Sequence, residues 1–586
     1  MKKVGKFLWL LLFALVAGGG IFLAWARESA GPNEYLLTAE YIITMDPETP
    51  SPEALWIQNG QVVMMGDLAQ LRQESGNVPT ISFFRGTIVP GLIEPHSHPI
   101  AAAMASVAIN VSADALSTRD AIIDALKKEA QSYSPTGWVV GYGWDSFELP
   151  GLGKPSIDLL DTVSKTKPVI ILSPDMHEAY LNTAAIKALD IDDQTPEPIG
   201  GSYEKDAAGH LTGTIASVGA IRTIARKMPK ADRAAAELLL MLQLDRYVAA
   251  GYTAVGALDL TNTDENSLDL MRFVASQHRA GPRIRGWVVP EGTSAINTGG
   301  DDRFAVQGAK YWLDGSPFTG MASFANGYED NQLVRDTFDL QPGELVSPKL
   351  AQENFQAAVI GHHLAGRSVS VDTQGELAID MALDAFESAI EASKNNQVRH
   401  RLEHNALITK AQLDRARQLN VGVSFSINQI RKYGIMIDQL IGERTNRYLP
   451  LRWAVDAGAV ASISGDHPAG NLAPWHSFYT AVTRKDKNGN HVIGPDQAIS
   501  RMAALKAMTI DAAWQLGIED KAGSISVGKS ADFVLLNRNP LLVDEEDIPR
   551  LRTLQVWLRG QAVDARLLKW SNIRAGFSAF TALFTN

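Results

Sequence analysis

The sequence predicts an α/β fold: a TIM-like (β/α)8 barrel with an inserted α/β subdomain, a small β-sandwich domain formed from both termini, and an N-terminal hydrophobic anchor or signal. Three observations predict it. Eight short apolar strands ending in polar residues alternate with helical stretches through the middle of the chain, as βα units around a parallel sheet do. The flanking segments, 35–88 and 523–566, are rich in short strands with turn punctuation. Residues of about 100–235 break the alternation and form an expected insert within a barrel spanning 89–522.

The elements follow in chain order. Within 1–30, Lys2, Lys3 and Lys6 precede 20 uncharged residues, 7–26. About 20 apolar residues span a bilayer core as a helix, and the basic flank keeps the N-terminus inside. Ala24-Trp25-Ala26 also suits signal-peptidase cleavage. The length favours an uncleaved anchor and the glycines at 18–20 a cleaved signal; both readings imply export. The protein is then either held in the inner membrane facing the periplasm or extracytoplasmic side, or periplasmic after cleavage at Ala26. Short strands follow at 35–38, 41–45, 54–58, 61–65 and 87–90, with Asn59-Gly60 as a hairpin turn. The first barrel strand runs into His96. After the insert, helix 237–249 leads to strands at 253–256, 282–289, 308–313, 366–371, 398–404, 421–426 and 460–464. Strands at 523–526, 531–536 and 553–560 close the chain.

Composition narrows the chemistry. The 586 residues hold 54 Lys plus Arg against 65 Asp plus Glu, a net charge of −11 that argues against nucleic-acid binding. No cysteine is present, which removes disulfides, iron–sulfur clusters and thiol nucleophiles. A metal site must therefore use His, Asp, Glu or modified Lys.

The sharpest local signal is Pro90-Gly-Leu-Ile-Glu-Pro-His96-Ser-His98-Pro. Residues i and i+2 of a strand share a side, so His96 and His98 can meet one cation at a strand's C-terminal end, where barrel active sites lie. In this light the chain resembles the metal-dependent amidohydrolase superfamily, in the branch of N-substituted formamide deformylases (amidohydrolase family 3 type), over about 35–565. The resemblance rests on the order and spacing of seven further stretches: Gly137-Trp-Val-Val-Gly-Tyr-Gly-Trp-Asp; Pro168-Val-Ile-Ile-Leu-Ser-Pro-Asp-Met-His177; Leu211-Thr-Gly; Lys310-Tyr-Trp-Leu-Asp-Gly; Arg401-Leu-Glu-His404; Ser464-Gly-Asp466-His-Pro; and Gly523-Ser-Ile-Ser-Val-Gly-Lys-Ser-Ala-Asp-Phe.

The resemblance implies a hydrolase of non-peptide carbon–nitrogen bonds with a small amide or formamide substrate. It implies one or two divalent ions, zinc first, at His96, His98, Lys310, Asp372, His404 and Asp466. Asp466 would be the general base, His404 a ligand or a polariser of the carbonyl, and Lys310 a ligand if carboxylated. Two departures stand out. The usual strand-five His is Asp372, and the Glu usual after Thr-Gly gives way to Ser217. Glu94 for Asp is a milder change. Asp372 could ligate the metal or pair with an unmodified Lys310. The departures also leave open a non-catalytic, membrane-associated binding barrel, and the superfamily a single-metal deaminase.

His177, Tyr142, Trp144 and Trp312 are the candidate substrate-binding residues. The alternative for His177 is structural hydrogen bonding, and for the three aromatics packing. His362 and His363 are expected at a helix end or surface, His400 and His467 around the site rather than in it. A homodimer is one open assembly.

Overall fold

The computed structural model describes residues 31–564 apart from 135, 149–151, 199, 231, 262–266, 291–295 and 394–396. The anchor or signal expected at 1–30 lies outside the described residues, as do 565–566 of the expected C-terminal unit. Among the described residues no helix is long and apolar enough to cross a membrane.

Eight strands build the barrel: Leu92–Ser97, Tyr252–Leu260, Arg283–Val288, Phe304–Trp312, Ser368–Thr373, Arg401–His404, Gly422–Ser426 and Ala461–Ser464. Each pairs in parallel with the next. The first and last are joined by a side chain, since the Glu94 carboxylate accepts the Gly465 N–H at 2.9 Å. Strand periodicity sorts the side chains. In the fifth strand Val369 and Val371 pack into the main core, while Ser370 and Asp372 turn the other way, toward Glu403 and Lys310.

The N-terminal end of the barrel is sealed by helix Ile510–Leu516. Ala512, Ala513 and Leu516 pack with Ile93, Ala254, Leu258 and Trp287. Gln515 Nε2 donates to the carbonyls of Val423 and Val460, both beside strand starts. The opposite, C-terminal mouth is left for the site.

Between the first and second barrel strands lies a six-stranded sheet. Its spatial order is Ile109–Asn110, Val139–Tyr142, Val169–Leu172, Glu178–Leu181, Leu211–Ala216 and Ser202–Lys205. It has apolar clusters of its own around Leu126 and around Ala185. Strands from the two ends of the chain meet in another sheet, seven-stranded, in which Phe533–Leu536 pairs antiparallel with Thr80–Pro90. Where a two-layer sandwich is expected from sequence, the hydrogen bonding among the described residues gives this one mixed sheet. Its hairpin turn needs Gly60, with φ 81°, because a Cβ there would lie 2.7 Å from the Arg559 carbonyl oxygen.

Candidate active site

The strand ends bring His96, His98, Lys310, Asp372, His404 and Asp466 to one mouth. The His96 ring lies 5.3 Å from that of His98 and 4.7 Å from that of His404. His98 Nε2 is 3.2 Å, and His96 Nε2 3.5 Å, from the same oxygen, Asp466 Oδ1. His404 Nε2 is 3.3 Å from Asp372 Oδ1, which also meets the Lys310 ammonium. Both His404 (φ 71°) and Asp466 (φ 53°) hold left-handed backbone, which non-glycine residues rarely adopt and which clusters at functional sites.

Outer partners orient the imidazoles. His96 Nδ1 bonds Glu403 Oε2 at 2.9 Å, His404 Nδ1 bonds Ser426 Oγ at 2.7 Å, and His98 Nδ1 lies 3.4 Å from Asp259 Oδ2. Glu403 is itself held by Ser370 and Arg401, whose guanidinium lies over Trp287. Each His therefore turns Nε2 inward, the arrangement that carboxylate and hydroxyl partners impose on metal-ligating histidines.

The electrostatics agree. Burial, helped by the Lys310 charge, pushes His96 down to about 4 and leaves it neutral. His98 is pushed up to about 10: burial opposes this, but hydrogen bonds and charge from Asp259 and Asp466 outweigh it. Against its own burial, Asp466 is held below the usual carboxylate range by His96, His98 and His404. Asp372 is held down in the same way by Lys310 and His404. A proton on His98 thus occupies a field that calls for a cation.

The residues fit a divalent ion. His96 Nε2 is buried and has no hydrogen-bond partner among the described residues. His96, His98 and Asp466 can offer ligand atoms within 4.8 Å of one another, and so can His96, Asp372 and His404. In the second set, Asp372 is already engaged by Lys310.

The other sequence candidates divide between the mouth and the packing around it. Trp312 is half-buried at the mouth, its ring 5.4 Å from Lys310 Nζ. The charges of Asp175, Lys349, Asp372 and His404 all reach His177, and among the described residues its buried Nδ1 has no hydrogen-bond partner. The Tyr142 hydroxyl lies 2.7 Å from the carbonyls of both Pro174 and Pro468, linking the insert to the loop after Asp466. Trp144 takes the packing role that was its alternative. It is buried in the insert's core and donates to the Gly153 carbonyl, so it packs the insert. His363 sits at a helix end but is not at the surface; it is buried and bonds His400 and Ser393. His400 stacks on Phe386, and His467 bonds the Gly470 carbonyl.

Sequence reasoning missed Asp259, Glu403 and Lys349. The second strand runs on to Leu260, past the 253–256 expected, and so delivers Asp259. Glu403 lies within the quoted Arg-Leu-Glu-His stretch, and its place beside a candidate ligand was a usable signal. Lys349 follows a long loop after the fourth strand, where no motif marks it.

The amidohydrolase family's sequence model matches residues 86–564. The chain is similar to an N-substituted formamide deformylase of Arthrobacter pascens, 25% identical over 542 residues, covering 88% of this chain and 96% of that protein. It is similar to Protein LONG AFTER FAR-RED 3 of Arabidopsis thaliana, 26% identical over 531 residues, 86% of this chain and 87% of that one. A solved metal-dependent hydrolase from Pyrococcus horikoshii OT3 shares the fold with a TM-score of 0.69 at 20% identity, covering 88% of this chain and 99% of that one.

Proposed function

The chain belongs to the amidohydrolase family, and from that premise we propose an exported hydrolase of small amides, of the N-substituted formamide kind, that works with one divalent cation, zinc first. The family makes it a hydrolase of carbon–nitrogen bonds other than peptide bonds. The observation that carries the finer reading is the convergence of His96 Nε2 and His98 Nε2 on one oxygen, Asp466 Oδ1, with His96 Nε2 otherwise without a partner among the described residues.

His96, His98 and Asp466 would hold the ion. When bound, such an ion supplies Lewis-acid polarisation of a carbonyl and a lowered pKa for water. Asp466 receives the proton of the attacking water and returns it to the leaving amine. His404, fixed by Ser426, donates from Nε2 toward the carbonyl oxygen as charge grows there. Lys310 acts as an ammonium that neutralises Asp372, not as a carboxylated ligand. Trp312 gives the rim an apolar face. The basic residues before the uncharged stretch 7–26 support export.

Metal analysis of the purified protein and turnover of N-substituted formamides test this together. About one ion per chain is expected, with activity lost to chelator and restored by Zn²⁺ or Mn²⁺. Asp466→Asn should lower turnover by at least ~10²-fold. Less than about 0.3 ion per chain without rescue would refute the reading, since such a site holds one or two.

A further inference from the structure

Beside the metal cluster, a second set of polar groups at the mouth has capacity to spare. Lys349 is half-buried, and its backbone N–H donates to the Leu313 carbonyl just past the fourth strand. Among the described residues its Nζ donates to Ser217 Oγ alone, at 2.8 Å, and makes no ion pair. An ammonium has three donors, so two remain. The two acidic groups whose charges reach it are committed. Asp314 accepts the backbone N–H groups of Ser323, Gln374 and Gly375, and Asp372 meets Lys310 and His404.

Two independent observations converge here. Ser217 is held at φ 72°, a strained conformation for a residue with a side chain, at the end of the insert strand Leu211–Ala216. Its N–H donates to the His177 carbonyl at 2.7 Å. That bond places His177 next to it, with a buried Nδ1 that no described residue satisfies. A leftover ammonium, a strained hydroxyl and an orphan imidazole nitrogen favour an anion, with Asp314 held by backbone N–H groups, Asp372 by Lys310, and Asp175 by Ser173 and the His177 N–H. Gly315 leaves room for this lysine, since a Cβ there would lie 3.0 Å from Lys349 Nζ and 2.7 Å from Met321 Cβ.

We propose that Lys349, Ser217 and His177 form an anion subsite at the barrel mouth that takes a carboxylate carried by the substrate. The inference rests on the amide-hydrolase reading and narrows its substrate class to amides bearing a carboxylate near the scissile bond. The carboxylate accepts from Lys349 and from His177 Nδ1, while Ser217 fixes the ammonium. These are specificity-determining contacts, at one remove from the bond that breaks.

Ligand-observed NMR on the chelator-treated full chain tests this without turnover, so failure of hydrolysis and failure of the subsite are separable. The probes are N-formylglycine and N-methylformamide, which share the amide and differ by a carboxylate. N-formylglycine should bind at least tenfold more tightly. Lys349→Met should reduce it to the level of N-methylformamide and leave the neutral probe unchanged. Ser217→Gly, which suits the positive φ, should weaken N-formylglycine severalfold and guards against misfolding of the lysine variant. Equal binding of the two probes, no measurable binding of N-formylglycine, or unchanged discrimination in a folded Lys349→Met protein would each overturn the proposal.

Discussion

Lys310→Met is the most informative single substitution at this site. It strands Asp372 as a buried carboxylate whose ammonium partner is gone, in a place where Lys310 itself is fully covered. Removing one member of a buried ion pair costs about 3–5 kcal/mol, because the remaining charge stays desolvated. His404 Nε2, 3.3 Å away, still offsets part of that charge, so the expected loss is at the lower end, about 3 kcal/mol. Asp372→Asn strands the lysine instead, with the Trp312 ring at 5.4 Å, a contact worth about 0.5–1 kcal/mol, and the more distant Glu403 charge to offset it. The double variant removes both charges and should recover at least about 1 kcal/mol relative to either single one. Urea unfolding of chelator-treated wild type and the three variants, in one buffer, gives the coupling energy. A coupling below about 0.5 kcal/mol, or a Lys310→Met protein as stable as wild type, would refute the paired ammonium. A carboxylated ligand predicts a different pattern, in which Lys310→Met matters only when bicarbonate and metal are supplied.

Two further outcomes follow from the same geometry. Glu403→Gln removes the charge that holds His96 Nδ1 at 2.9 Å, and metal affinity by chelator competition should fall about 10–100-fold; unchanged affinity would show that Glu403 does not orient the ligand. Burial lowers Lys349 from 10.5 to about 8, so the folded state binds fewer protons than the unfolded state between those values. The buried charge therefore costs stability in full below about pH 8, and the cost fades as pH rises toward 10.5. The stability of Lys349→Met relative to wild type should accordingly drop by about 2 kcal/mol from pH 7 to pH 10 in paired urea titrations. A difference that does not change with pH would contradict the burial of that charge.

How much was legible in the sequence depended on the range of the signal. His96 and His98 were legible because a two-residue period at the end of an apolar strand is a local pattern. Asp466 and His404 were legible through the family's ordered motifs. Asp259 was hidden because it lies inside an apolar strand, in Ala257-Leu258-Asp259-Leu260, where an acidic residue is disfavoured and suggests that the strand has ended. Lys349 lies outside any regular element and reaches the mouth through tertiary packing alone. Trp144 misled for a related reason: a tryptophan in a glycine-rich loop looks available until the Gly153 carbonyl is seen to take its N–H.

The two departures from the family pattern are best understood together. Against the pattern that the resemblance implies, Asp372 in place of His would add a negative charge at the mouth and Ser217 in place of Glu would remove one, so the pair would conserve charge while moving it. Each new side chain accepts from a lysine, Asp372 from Lys310 and Ser217 from Lys349. A barrel drifting away from function has no reason to keep this balance, because one buried and one half-buried lysine without purpose would be costly and apolar replacements would be more stable. The compensated charges instead leave His96 Nε2 without a hydrogen-bond partner among the described residues, aimed with His98 Nε2 at Asp466 Oδ1, and Lys349 with donors to spare. That distribution is what an active site needs when it must hold a cation on one side of an amide and an anionic substituent on the other.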